Sequence, residues 1–238
     1  MKIAMWSGPR NLSTALMYSF ANRADTSAID EPFYGAYLAQ TGLVHPMRDI
    51  ILKQMERDAI SVANALLETD IPLKHQYQKH MTQHMLDGFP LDWLTQVTNV
   101  FLIRHPARVL ASWSNKHDEL TLDDIGFVQQ MQLYEHCVAL GQTPVIIDSA
   151  DIRAAPEQVL KALCAAIDLP WDPAMLAWSA GPKPYDGVWA PHWYDAVHRS
   201  TGFAGAEGPL PDLSDELREI NEKALPLYER LAALKLSI

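Results

Sequence analysis

Directly after the apolar run Lys2 to Trp6, and directly before a helical pattern that runs through Phe20, the chain reads Ser7-Gly8-Pro9-Arg10-Asn11-Leu12-Ser13-Thr14. A strand, a short turn and a helix start in that order aim free backbone N–H groups and the positive end of a helix at one point, which suits a phosphate-like anion. Arg10 adds a fixed positive charge, and Ser13 and Thr14 add hydroxyl donors. The match to an NTPase phosphate loop is poor. Counted from Gly8 in G-x-x-x-x-G-K-[ST], Ser13 replaces the second Gly, Thr14 replaces the Lys, and Ala15 falls where the Mg²⁺-binding hydroxyl belongs. A capped helix behind a Gly-Pro turn uses the same residues, so the loop alone specifies an anion site and no more.

The elements that must position this loop follow from the apolar pattern. Short buried runs at Lys2 to Trp6, Pro72 to Lys74, Asn99 to Ile103 and Pro144 to Asp148, with a fifth at Ser27 to Asp30, read as strands. Between them lie helical repeats such as Leu12, Ala15, Leu16 and Phe20, or Ile125, Val128 and Met131. Strands alternating with helices predict an α/β fold whose central, mainly parallel sheet is covered by helices on both faces. Ligands of such sheets bind beyond the carboxyl ends of the strands, so the residues just after each strand matter most. From Gly181 to Gly208 the chain is rich in Gly, Pro and Trp and reads as one long functional loop. Trp178 just before it and Tyr185, Trp189, Trp193 and Tyr194 within it suit either an acceptor pocket or the loop's own small core. A last helix from about Ser214 carries an apolar stripe of Leu217, Ile220, Ala224, Leu227, Leu231 and Leu234, with Pro226 expected to kink or interrupt it.

At 238 residues and 48% hydrophobic content, a single domain over residues 1–238 is expected. A net charge of -10 and a pI near 5.3 argue against nucleic-acid and membrane-surface partners, which need a broad basic face. A small anion needs only a few converging donors. Cys137 and Cys164 are too few for a disulfide framework and read as buried thiols. With no signal-like start and no membrane-spanning run, a cytoplasmic location is expected. Oligomeric state is not specified by these features.

The loop resembles the 5′-phosphosulfate-binding loop of the sulfotransferase family, in which Pro-Lys or Pro-Arg precedes Ser or Thr at a helix start. Pro9-Arg10 and Ser13-Thr14 fit that form, whereas Asn11-Leu12 stands where the family usually has Ser-Gly. A second match follows in order: the strand Val100 to Ile103, then Arg104-His105-Pro106, then Ser112 eight residues after Arg104. This is similar to the family's 3′-phosphate site, in which a strand-end Arg and a helical Ser turn towards one phosphate. His198-Arg199-Ser200-Thr201-Gly202 resembles the late basic segment that closes over the same phosphate, with Arg199 as the residue concerned. The resemblance implies a three-layer P-loop-type fold and 3′-phosphoadenosine-5′-phosphosulfate (PAPS) as co-substrate. It also implies a small-molecule hydroxyl or amine acceptor and no bound metal. Gly8 through Thr14, Arg104, Ser112 and Arg199 would hold the nucleotide.

Sulfuryl transfer needs an in-line acceptor, stabilised charge on the transferred group and a base. By resemblance Arg10 and Lys74 would neutralise charge. Two residues compete as base: Glu31, in Asp30-Glu31-Pro32 after the second strand, and His75, whose Lys74-His75 context resembles the family's Lys-Thr-His segment without its Thr. Glu31 is preferred, because partial burial raises a carboxylate's pKa into a useful range. A small-molecule kinase is the nearest rival, and Mg²⁺-dependent ATP binding would favour it. A non-catalytic nucleotide-binding module would instead bind without turnover. His80 and His84 at i, i+4 could start a zinc site, but Met81 stands where H-E-x-x-H needs Glu, and a solvated helix face is preferred. No G-x-S-x-G elbow supports a serine hydrolase.

Overall fold

A computed structural model describes residues 1–68, 71–114 and 120–237. Five strands form its sheet: β1 (Lys2–Ser7), β2 (Thr26–Asp30), β3 (His75–Met81), β4 (Thr98–Ile103) and β5 (Val145–Asp148). Their order is β2-β3-β1-β4-β5 and every pair is parallel. The helices are α1 (Ser13–Ala21), α2 (Tyr34–Thr41), α3 (Arg48–Gln54), α4 (Ala59–Glu68), α5 (Pro106–Trp113) and α6 (Phe127–Ala139). They continue with α7 (Ser149–Ala154), α8 (Pro156–Ala166), α9 (Ala190–Trp193), α10 (Asp195–His198) and α11 (Asp215–Ala232).

β1 is central because it can be buried on both faces: Ile3 and Met5 face a core built with α1 and α8, while Ala4 and Trp6 face another with Trp93 and Phe101. This three-layer arrangement is the fold class expected from the alternating pattern. The neighbours of β1 are β3 and β4, so the chain crosses to opposite sides of the sheet after it. Such a switch point opens a crevice at the carboxyl ends, immediately beyond Ser7.

The third strand departs from expectation. Pro72 to Lys74 is not a strand; those residues are exposed, and β3 begins at His75. Its sequence His-Gln-Tyr-Gln-Lys-His-Met lacks an apolar run, yet every residue is buried. Side-chain bonds along the strand explain how: Gln78 Nε2 donates to Gln76 Oε1 at 2.8 Å, and His80 Nε2 meets Gln78 Oε1 at 3.2 Å. The His80 ring also stacks on Trp6 of the adjacent strand at 4.4 Å. Buried polar groups that satisfy one another in this way carry little penalty, and polarity therefore hid the strand. The same register corrects the zinc alternative. His80 lies on a strand and His84 in the 3₁₀ turn Thr82–His84, so they share no helix face.

The 181–208 stretch is not a plain loop, since α9 and α10 lie within it. Trp178 and Tyr185 pack edge-on against Tyr18 at 6.3 and 5.7 Å, as core. At the C-terminus, Ser214 caps α11 by accepting from the Leu217 N–H, and the helix runs on through Pro226 without interruption. Leu234 lies beyond its end and is exposed. Both cysteines are buried. Among the described residues no helix is long and apolar enough to cross a membrane.

Candidate active site

Beyond the carboxyl ends of the strands lies a cavity of about 350 Å³, within the usual size of small-molecule sites. Its floor is the turn after β1. Gly8 is required there because a Cβ would lie 2.5 Å from the Ile125 carbonyl oxygen. Arg10 and Leu12 then adopt left-handed conformations, φ 61° and 72°, and Leu12 stands at the N-cap of α1. Left-handed backbone at non-glycine residues costs roughly 1 kcal/mol or more each. Glu31, at φ 43°, joins them, and all three line the cavity.

One end of the cavity is negative and deeply buried. Asp30 ends β2, and its register partner on β3 is Lys79. The Lys79 ammonium donates to Asp30 Oδ1 at 2.9 Å, to Glu31 Oε1, and to the Tyr194 hydroxyl at 2.7 Å. Tyr194 in turn donates to Asp30 Oδ2 at 2.7 Å, and that oxygen also accepts the Gly187 N–H at 2.9 Å. Two carboxylates thus share one ammonium. Burial raises the Glu31 carboxyl's pKa, with Lys79 opposing and Asp30 adding to the effect. For Lys79 burial acts downward, but Asp30 and Glu31 outweigh it and hold the ammonium protonated. Around Glu31 stand rings: His84 stacks against both Tyr34 and Tyr37, at 4.5 and 4.7 Å, and burial lowers its pKa so that it is neutral. Tyr34 also meets His45 Nδ1 at 2.9 Å. Trp113, Trp189 and Trp193 complete this wall.

The other end is positive. Arg104, at the end of β4, donates to the Arg10 carbonyl oxygen, and Arg10 Nε donates to Ser112 Oγ on α5 at 2.9 Å. The two motifs, far apart in sequence, are thereby joined. Burial, and to a lesser degree the nearby Arg104 charge, lower the Arg10 pKa. Arg153 on α7 adds a third guanidinium, and the Ser149 hydroxyl, fully buried and without a hydrogen-bond partner, also lines the cavity.

Of the residues expected from sequence, Pro9 through Thr14, Glu31, Arg104 and Ser112 line this one cavity, and Gly8 does not. Lys74 and His75 do not. They lie at the amino end of β3, where the Lys74 carbonyl accepts from the N-terminal ammonium at 3.1 Å and His75 Nε2 faces Asp25 at 3.6 Å. In a parallel sheet that edge is opposite the cavity, so the one-strand misreading moved both residues to the wrong end. Arg199 is exposed at the C-cap of α10 and does not line the cavity.

The geometry has its counterpart in known proteins. Residues 1–235 match the model of the family described as the sulfotransferase domain. The chain belongs to that family. A solved sulfotransferase from Alicyclobacillus acidocaldarius superposes on this sulfotransferase domain with a TM-score of 0.55 at 11% identity, covering 98% of this chain and 94% of the other, which shows the shared fold. Two Arabidopsis thaliana proteins, branched-chain-amino-acid aminotransferase-like proteins 1 and 2, are 37% and 36% identical over 229 residues. Those residues are 96% of this chain but 41% of either plant protein, so the sulfotransferase domain spans about two-fifths of their length. At the level of the family the chemistry is sulfuryl transfer.

Sequence reasoning missed Lys79 and Arg153. For Lys79 a signal was present, since period-2 alternation puts it on the same strand face as Tyr77 and Met81, near the carboxyl end of β3. For Arg153 the signal was its place just after β5, where ligands of parallel sheets bind.

Proposed function

We propose that this sulfotransferase domain transfers the sulfuryl group of PAPS to a hydroxyl or amine of a small-molecule acceptor. The observation that carries this reading is the union of Arg10, Ser112 and Arg104 in a cavity whose far end is Glu31. The residues fit such a nucleotide. The turn after β1 and the start of α1 offer backbone N–H groups, Arg10 and Arg104 offer guanidiniums, and the Ser149 hydroxyl and Arg104 Nε are buried donors without hydrogen-bond partners.

In this reading Glu31 is the base. The acceptor oxygen forms a bond to sulfur as the bond from sulfur to the 5′-phosphate oxygen breaks, and the acceptor's proton passes to a Glu31 carboxylate oxygen. Arg10 neutralises the departing phosphate oxygen; a preorganised donor of this kind contributes on the order of 3 kcal/mol. Lys79 spends its three N–H donors on Asp30, Glu31 and Tyr194, so its part is to hold Glu31 in place and ionised. The wall of Tyr34, Trp113, Trp189 and Trp193 supplies an apolar surface for the acceptor.

The test is calorimetric titration of the purified chain with adenosine 3′,5′-bisphosphate. Saturable binding with one site per chain is expected, and no binding would overturn the assignment. Mg²⁺-dependent binding of ATP in its place would move the reading to a kinase.

A further inference from the structure

The arginines at the positive end already hold a carboxylate of this chain. Arg104 Nη2 and Arg153 Nη1 both donate to Glu207 Oε1, the latter at 2.8 Å, and Arg108 Nε lies 3.0 Å from Oε2. Three guanidiniums therefore enclose one carboxylate. We propose that Glu207 is a built-in occupant of this arginine subsite and that the second phosphate of a bound nucleotide has to replace it. The inference rests on the nucleotide reading above and adds a specificity-determining residue to it.

The segment that carries Glu207 is irregular and held mainly by polar contacts. Between α10 and α11 the chain has no regular structure beyond the single bridge between Ala177 and Gly202. Ala204, Gly205, Ala206, Gly208, Pro209 and Leu210 are all exposed, and Glu207 alone turns inward, its side chain 4% accessible. What holds it is polar: besides the carboxylate, the Gly205 carbonyl accepts from Arg153 Nε at 2.8 Å and the Gly208 carbonyl from Arg108. A Cβ added at Gly205 or Gly208 would meet nothing within 4 Å, so the backbone at these two positions is not packed against neighbours; the nearest apolar anchors are Phe203, which lies edge-on to Trp178 at 5.1 Å, and Leu213.

The charges point the same way. Burial pushes the Glu207 carboxyl up, but Arg104, Arg108 and Arg153 outweigh it and keep the group ionised below the usual range. One negative charge still leaves the cluster strongly positive, whereas a phosphate brings up to two charges and three oxygens for bidentate guanidinium contacts. Both groups cannot use the same N–H donors. Ser112, the other phosphate-binding residue expected from sequence, accepts from Arg10 and keeps its O–H to donate, so Glu207 is the group that competes for the phosphate's donors. A ligand without a second phosphate would leave Glu207 in place and gain nothing from the arginines. The self-occupied subsite thus makes the 3′-phosphate the group that opens it.

Glu207→Gln tests this with two probes, adenosine 3′,5′-bisphosphate and adenosine 5′-monophosphate. The variant is expected to bind the bisphosphate about tenfold more tightly and the monophosphate within threefold of the parent chain. Carboxyl footprinting of the parent chain, read by mass spectrometry, gives an independent measure that does not depend on the variant folding. Glu207 labelling is expected to rise on adding the bisphosphate and to stay constant with the monophosphate. If Glu207→Gln binds the bisphosphate no better, or if Glu207 stays unlabelled in the saturated complex, the carboxylate is a support behind the arginines and the proposal falls. If neither nucleotide binds either form, the nucleotide reading falls with it; binding that is equal in both forms removes only the role of Glu207.

Discussion

The two ends of the cavity use the same kinds of charge in opposite proportion. At the Glu31 end two carboxylates share one ammonium, all carried at strand ends and fully enclosed. At the Arg104 end three guanidiniums share one carboxylate, carried on helices, a strand end and an irregular segment, and partly accessible. Burial turns the first imbalance into a proton-binding tendency, because a surplus buried carboxylate is relieved by taking up a proton. Partial exposure turns the second into an anion site, because guanidiniums keep their charge and answer a surplus only by attracting an anion. The sites differ in what they bind because they differ in which group is in excess and how deeply it lies.

The strongest way to break this contrast is to remove the surplus carboxylate. Glu31→Gln is expected to lower kcat by about 10² to 10⁴-fold, the usual share of a general base. Affinity for adenosine 3′,5′-bisphosphate should stay within about twofold; a parallel loss of both would mean that Glu31 shapes the nucleotide site instead. Glu31 also sets a pH dependence. Its folded pKa is raised, so the folded chain holds that proton more tightly than the unfolded chain. Stability from this group is complete below the unfolded value of about 4.3 and is lost as pH rises through the folded one. Glu31→Gln should therefore flatten the fall in stability on going from acidic to neutral pH, measured by urea unfolding at several pH values. Turnover runs the other way, rising over the same interval as the base ionises.

Removing the shared ammonium comes next. Lys79→Met leaves Asp30 and Glu31 buried without their cation and is expected to destabilise the chain by about 3 to 5 kcal/mol. Adding Asp30→Asn to that variant should recover part of the loss, since one carboxylate fewer needs a partner. A double variant no more stable than Lys79→Met would show that the ammonium matters for packing rather than charge. The positive end should respond more mildly. Arg104→Ala is expected to weaken adenosine 3′,5′-bisphosphate binding by about 1.5 to 3 kcal/mol, the scale of a charge-assisted hydrogen bond, with little change in unfolding midpoint. An unchanged affinity would place the second phosphate elsewhere.

How far the sequence could be read differed between these ends for the same physical reason. An apolar run marks β4, and Arg104 stands at its end; that Ser112 on the following helix turns towards the same site is what the family resemblance implies, and both line the cavity. β3 gave no apolar run. Its burial rests on Gln76, Gln78 and His80 bonding to one another and stacking on Trp6, a tertiary arrangement that composition does not carry. Reading the strand three residues early sent Lys74 and His75 to the wrong edge of the sheet and concealed Lys79. Arg199 failed differently: it belongs to a basic, Gly-containing segment of the expected kind, but the inward-facing arginine, Arg153, comes from α7, the helix that follows β5.

The loop between the two ends offers the finest test, at Leu12. The residue that fits the family's glycine position least well nevertheless adopts the left-handed conformation that glycine favours, φ 72°, while its side chain packs against the α1 core. Backbone relief of about 1 kcal/mol and loss of a half-buried leucine, about 1 to 1.5 kcal/mol, nearly offset each other. Leu12→Gly is therefore expected to stay within about 1 kcal/mol of the parent chain by urea unfolding. Leu12→Val removes less volume but forces a β-branched residue into the same conformation, and should cost about 1 to 2 kcal/mol. If stability instead tracked side-chain volume, with Gly far worse than Val, packing rather than backbone geometry would hold the loop, and the two cavity ends would be coupled through the core.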